Sequence, residues 1–184
     1  VTFFMDMVCA LLFLTLLIKP LRDRSKLLFV MFCSLDRPED RPLTLVWLYT
    51  QFIASYLVLI PLLVYFESHD MLPLLMIIII ANGVGDGLAE PLGIRFGKRK
   101  YTTYALFTKE KYVRSYVGSA CVFVTTFFAI LAFQQYFNST QLIVALITIP
   151  ILITLAEAFS PHTWDSPLIY AVGGVSMMSI VIFL

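Results

Sequence analysis

The sequence predicts an all-α, polytopic membrane protein of about six transmembrane helices in one bundle. Three observations lead there. The chain is 60% hydrophobic and only 14% charged, where an ordinary soluble domain carries roughly 25% charged residues. Apolar runs recur at the roughly 20-residue length that crosses hydrocarbon as a helix. All 13 lysines and arginines fall on one predicted face of the membrane, the asymmetry expected of short cytoplasmic loops.

Five runs, residues 2–18, 43–66, 71–94, 116–137 and 141–159, are long enough to span, and a sixth, 168–184, is shortened by the end of the chain. The run 27–33 is too short and is expected to lie at the interface or against the bundle. Pro61, Pro73 and Pro150 fall inside apolar runs, where neighbouring helices can satisfy the carbonyls they free. The first run lacks the basic leader and small-residue cleavage site of a signal peptide, so it is read as a span. The chain opens at Val1 without an initiator methionine and closes within Ile182-Phe183-Leu184, so residues beyond one or both ends are expected. No linker or low-complexity tract divides it, and residues 1–184 read as a single membrane domain.

With six spans, loops 19–42, 95–115 and 160–167 share one side. They carry Lys19, Arg22, Arg24, Lys26, Arg37 and Arg41, then Arg95, Lys98, Arg99, Lys100, Lys109, Lys111 and Arg114. The opposite loops hold Glu67, His69 and Asp70, then Asn138-Ser139-Thr140. The basic face is expected to be cytoplasmic or its organellar equivalent. The membrane would be that of the ER, a chloroplast or a mitochondrion in a eukaryote, or the inner membrane in a bacterium. A net charge of +1 gives no reason to expect a nucleic-acid partner; membrane lipids are the expected surroundings. Asn138-Ser139-Thr140 matches a glycosylation acceptor in form, in a loop short enough to press it against the membrane. Cys9, Cys33 and Cys121 have no metal-ligand spacing and read as small buried apolar residues.

Acidic residues inside membrane segments are expensive and usually functional. Asp86 and Glu90 lie near the basic-face end of the third span, in Asn82-Gly83-Val84-Gly85-Asp86-Gly87-Leu88-Ala89-Glu90-Pro91. Glu157 ends the fifth span and Asp165 follows in the loop, so four carboxylates approach the basic face. Asp86 and Glu90 share a face only if the helix is continuous. Gly83, Gly85 and Gly87 allow instead a backbone break, or the approach of a phosphate to exposed amides. They also suit close helix–helix contact through small residues. Carboxylates such as Asp86, Glu90 and Asp165 can hold magnesium while phosphates complete its shell. Lysines and arginines can neutralise charge on a transferring phosphoryl group, or simply contact anionic lipid. His162 is a candidate general base near neutral pH, or else a capping group, and Trp164 suits an interfacial anchor.

Three stretches carry a family resemblance: Gly85-Asp86-Gly87-Leu88-Ala89-Glu90-Pro91-Leu92-Gly93 with Phe96-Gly97-Lys98; Arg114-Ser115-Tyr116-Val117-Gly118-Ser119-Ala120; and Ala156-Glu157-Ala158 running into Trp164-Asp165-Ser166-Pro167-Leu168. In order and spacing, over about residues 80–175, the chain resembles the polyprenol, dolichol and phytol kinase family, related to CTP-dependent diacylglycerol kinases and phosphatidate cytidylyltransferases. The resemblance implies transfer of the terminal phosphate of CTP, with Mg2+, to an isoprenoid alcohol. It implies that Asp86 is a metal or phosphate ligand in the glycine turn and that Lys98 is a phosphate contact. Ser115, Gly118 and Ser119 would line the nucleotide site. Glu157 and Asp165 would act on metal or on the attacking hydroxyl.

Many dolichol-kinase-like members have Glu-Gly at Val117-Gly118, although phytol-kinase-like members often have a small apolar residue there, and many members have Asp-Asn at Asp165-Ser166. These departures keep open a catalytically silent relative serving as a structural subunit of a membrane complex. A CDP-alcohol phosphotransferase is excluded, because Glu90-Pro91 replaces the Ala-Arg it needs and no aspartate follows between residues 87 and 164. A transporter stays open, because broken helices and midplane carboxylates suit one; against it, these carboxylates are read near one face and no internal repeat is seen.

Overall fold

The computed structural model describes residues 2–36, 40–104, 111–161 and 164–184. Arg37, Lys109 and His162, all singled out above, lie outside the described residues. The structure is 82% helical and divides into two compact units, Val1–Ile53 and Ala54–Leu184.

In the first unit, α1 (Thr2–Leu16) ends where Ile18 turns extended, and α2 (Lys19–Arg22) starts with a proline in its first turn, where a missing N–H costs nothing. At 15 residues, α1 is about 22 Å long, short of the roughly 30 Å of hydrocarbon a span must cross. The Arg22 guanidinium lies 3.6 Å from the centre of the Phe32 ring on α3 (Lys26–Leu35), a cation–π contact that ties the two helices. After α3, Asp36 accepts from Thr44 Oγ1 at 2.5 Å and from Arg41 Nε at 2.8 Å. The Thr44 bond lowers the Asp36 carboxyl below its ordinary value; burial opposes this and Arg41 reinforces it. Thr44 opens α4 (Thr44–Ser68).

In the second unit, α5 (Leu72–Ile80), a π-helical turn (Ala81–Asp86) and α6 (Gly87–Phe96) run on as one rod from Leu72 to Phe96. An antiparallel ribbon follows, β1 (Lys100–Tyr104) with β2 (Lys111–Ser115), in the register Lys100↔Ser115, Tyr101↔Arg114, Thr102↔Val113. The all-α expectation is amended by this pair of strands. Then come α7 (Tyr116–Ala132), α8 (Ser139–Phe159) and α9 (Asp165–Phe183). Asn138 Oδ1 accepts from the Gln141 N–H while Gln141 Oε1 accepts from the Asn138 N–H, a reciprocal cap that starts α8.

Four helices among the described residues are long and apolar enough to cross a membrane: Thr44–Ser68, Leu72–Phe96, Ser139–Phe159 and Asp165–Phe183. The runs expected as the first and fourth spans form the shorter α1 and α7. The latter stops at Ala132 because Phe133 leaves helical geometry and residues Gln134–Tyr136 tighten into a 3-10 turn.

The interior of this unit is built from Phe66, Leu74, Leu75, Ile77, Ile78, Val122, Ile130, Ile149, Ile153, Ile169 and Met177. Gly173 and Gly174 bring α9 close to its neighbours: a Cβ at Gly174 would stand 2.5 Å from Leu62 Cδ1, and one at Gly173 would stand 3.0 Å from Ile78 Cγ2. Such small-residue contacts are how helices pack where lipid removes the hydrophobic drive. Leu57, Val64, Phe128, Ile143, Ile147 and Val175 point outward and stay exposed, an apolar exterior that water would not tolerate on this scale. Cys9 and Cys33 are exposed and Cys121 is half-buried; the expectation of three buried thiols is corrected, since the first two sit on exposed faces of apolar helices.

Candidate functional site

Strand alternation sends one face of the ribbon inward. From that face, Thr103 Oγ1 donates to the Ala158 carbonyl at 2.8 Å, and the Tyr101 and Ser119 hydroxyls pair at 2.5 Å. These bonds fasten β1 to the end of α8 and the first turn of α7. Burial, ahead of the opposing Ser119 bond, raises the pKa of the Tyr101 phenol above its ordinary value. Arg114, directly across from Tyr101, therefore enters among the helix ends.

There its Nη1 pairs with Glu157 Oε1 at 2.8 Å, and its Nη2 lies 3.4 Å from Asp165 Oδ2. Nη2 also donates to the Glu157 carbonyl and to Ser160 Oγ, each at 3.1 Å. The end of α8 leaves carbonyls without intrahelical partners, and a guanidinium has enough donors to serve carbonyl and carboxylates together. Asp165 is the first residue of α9, where the helix dipole favours its charge. Desolvation works against the Arg114 charge. Glu157 first, then Asp165 and Asp86, outweigh it and raise the guanidinium above its ordinary value. Glu157 and Asp165, from two helices, thus share one cation, and Asp86 acts on the same arginine at longer range.

The ion pair is not saturated. Glu157 is 2% exposed, and its Oε2 is buried without a hydrogen-bond partner among the described residues, as is Arg114 Nε. Most buried polar atoms are paired, so these mark where a further group fits. One positive and three negative side chains leave a formal negative excess, which suits a divalent cation. Among the described residues, no three His, Cys, Asp or Glu side chains gather closely enough to hold a metal by themselves. A metal here would need oxygens from outside the chain, such as the phosphate oxygens that commonly complete a magnesium shell.

The remaining candidates fall in several places. The glycine stretch does not break the helix. It forms the π turn, and the Gly87 N–H donates to the Asn82 and Val84 carbonyls, which leaves that amide engaged rather than offered to a phosphate. Gly85 does pack against α7, where a Cβ would lie 3.3 Å from Val122 Cα, but a Cβ at Gly83 or Gly87 would meet nothing within 4 Å. Asp86 stands ten residues before Phe96, about 15 Å inside the helix end and deeper than the sequence suggested. Glu90 is exposed one turn further on, and Lys98 is exposed in the link to β1.

Ser115 caps α7, its Oγ accepting from the Gly118 N–H at 3.0 Å, and it also abuts Gly93. A Cβ at Gly118 would sit 2.9 Å from the Ala89 carbonyl oxygen, so Gly118 permits the close α6–α7 crossing. Ser119 is held by Tyr101. Sequence reasoning missed Tyr101, Thr103, Ser160, Asn82 and Tyr170. The run Lys100-Tyr101-Thr102-Thr103-Tyr104, β-branched and aromatic after a glycine, was the one available strand signal.

Comparison with protein-family models, with curated proteins and with solved structures finds no match for this chain.

Proposed function

We propose that the chain is a multi-pass membrane phosphotransferase that moves the terminal phosphate of a nucleoside triphosphate, CTP by resemblance, onto the hydroxyl of phytol, a polyprenol or dolichol. The observation that carries this reading is Arg114 held between Glu157 and Asp165, with Asp86 in electrostatic reach. Asp86 and Glu157 would hold Mg2+, which when bound draws charge from the phosphate oxygens. Arg114 and the exposed Lys98 face the negative charge of the donor. Glu157 keeps Arg114 in place, and Asp165 fixes it from the side of α9. In the transfer, the acceptor oxygen bonds to the terminal phosphorus and the bridging P–O bond breaks. The nucleoside diphosphate leaves with that electron pair, and the hydroxyl proton passes to a carboxylate of the cluster and on to water. A site that reaches from the helix ends inward to Asp86 would let a water-soluble donor meet an acceptor that stays in lipid.

A second reading is favoured by the saturation of Arg114 Nη2 by Glu157, Ser160 and Asp165: a silent relative in which the cluster only locks helices together within a membrane complex. Incubation of the purified protein with labelled CTP, Mg2+ and phytol or a polyprenol separates the two. The kinase reading expects labelled lipid phosphate from the native chain and background from Asp86→Ala. Equal counts from both overturn it.

A further inference from the structure

One polar pair in the second unit stands apart from the Arg114 cluster. Asn82, in the π turn, donates from Nδ2 to the Tyr170 hydroxyl on α9 at 2.9 Å. Its Oδ1 is buried and without a hydrogen-bond partner among the described residues. Asp86 and Tyr56 lie within electrostatic reach of the Tyr170 hydroxyl. A bare amide end among helices that pack through Ile77, Ile78 and Ile169 is costly unless something outside the protein meets it.

The surroundings say what would. Gly83 and Gly87 each follow a member of the polar row, Asn82 and Asp86; both are exposed, and a Cβ at either would meet nothing. The helix thus presents a bare strip beside its polar row. The π turn that shapes this stretch is a feature often found at functional sites. A slender aliphatic chain fits such a strip. A hydroxyl can donate to the bare Oδ1 of Asn82. Without a metal, a carboxylate or phosphate would be repelled by Asp86, and an ether cannot donate.

We infer that Asn82 and Tyr170 form a recognition point for the hydroxyl of a long-chain aliphatic alcohol whose chain lies along the Gly83–Gly87 strip. That the occupant is an alcohol rests on the phosphotransferase reading; its binding needs neither nucleotide nor metal. The test uses the purified chain in lipid nanodiscs without either, and compares a labelled C20 isoprenoid alcohol with its methyl ether and the parent hydrocarbon.

The native chain is expected to bind the alcohol about tenfold more tightly than the ether, the value of one good hydrogen bond. Tyr170→Phe and Asn82→Leu should each bring that ratio within about twofold, with ether binding itself retained. Equal affinity of alcohol and ether for the native chain overturns the inference, as does a preference that survives in both variants. Lost phosphate transfer with an intact hydroxyl preference would count against the kinase reading alone. Transfer without the preference would count against this site alone.

Discussion

Replacing Arg114 by methionine keeps much of the side-chain volume and removes the charge that Glu157 and Asp165 share. Glu157 is then a buried anion at 2% exposure with neither oxygen paired to a cation. Removing one partner of a buried ion pair costs about 3–5 kcal/mol. Because the Arg114 side chain is 24% exposed, water reaches part of the pair, so the lower figure of about 3 kcal/mol is expected. For a chain of this length, that corresponds to a fall in Tm of about 6–12 °C. Trp47 and Trp164 allow the unfolding to be followed by intrinsic fluorescence in detergent.

Two comparisons isolate the cause. Arg41→Ala breaks the pair with Asp36, but Arg41 is 60% exposed, so its cost should stay near or below about 1 kcal/mol. Adding Glu157→Gln to Arg114→Met removes the stranded anion and should recover more than half of the loss. If Arg114→Met is no worse than Arg41→Ala, or if the double variant is no better than the single, the cluster is not the electrostatic centre described here.

The Asp36 carboxyl is lowered below its ordinary value of 3.8, so its contribution to stability is present above that pH and is lost as pH falls through the folded-state value. Asp36→Asn should flatten that acid limb in a pH series of thermal unfolding, and an unchanged limb would contradict the assignment. Gly174→Val must push against Leu62 across a 2.5 Å approach and should cost about 1–3 kcal/mol. Gly83→Ala meets nothing and should be neutral, or stabilising by up to about 1 kcal/mol through helix propensity; the same melts check both, and reversed signs would refute the packing described.

Much of this architecture was legible because lipid imposes a coarse rule: long apolar runs such as 43–66 and 141–159 have few alternatives to helix. The termini of α1 and α7 were not legible, because Leu17-Ile18 and Phe133 are as apolar as the helices they end, and hydropathy does not register a turn. The carboxylates of the site were picked out by their cost, and the structure does bring Glu157 and Asp165 to one cation. Arg114 was seen as one basic residue among many. Its central place depends on a strand pairing that period and composition hardly signal, since Tyr101 and Arg114 are 13 positions apart in sequence yet opposite in register. The glycines were read for flexibility, but where each one faces depends on tertiary neighbours that a single sequence does not reveal.

The ribbon has a consequence for which changes the chain can accept. Tyr101, Thr103 and Arg114 lie on one side of it, while Lys100, Tyr104, Lys111 and Val113 lie on the other and are exposed. Swapping residues on the outer side leaves the anchors where they are. Deleting a single residue from within β1 moves the residues on one side of the deletion to the opposite face, which withdraws Tyr101 from Ser119 or Thr103 from Ala158. This short segment is therefore free in its outward chemistry and fixed in its length.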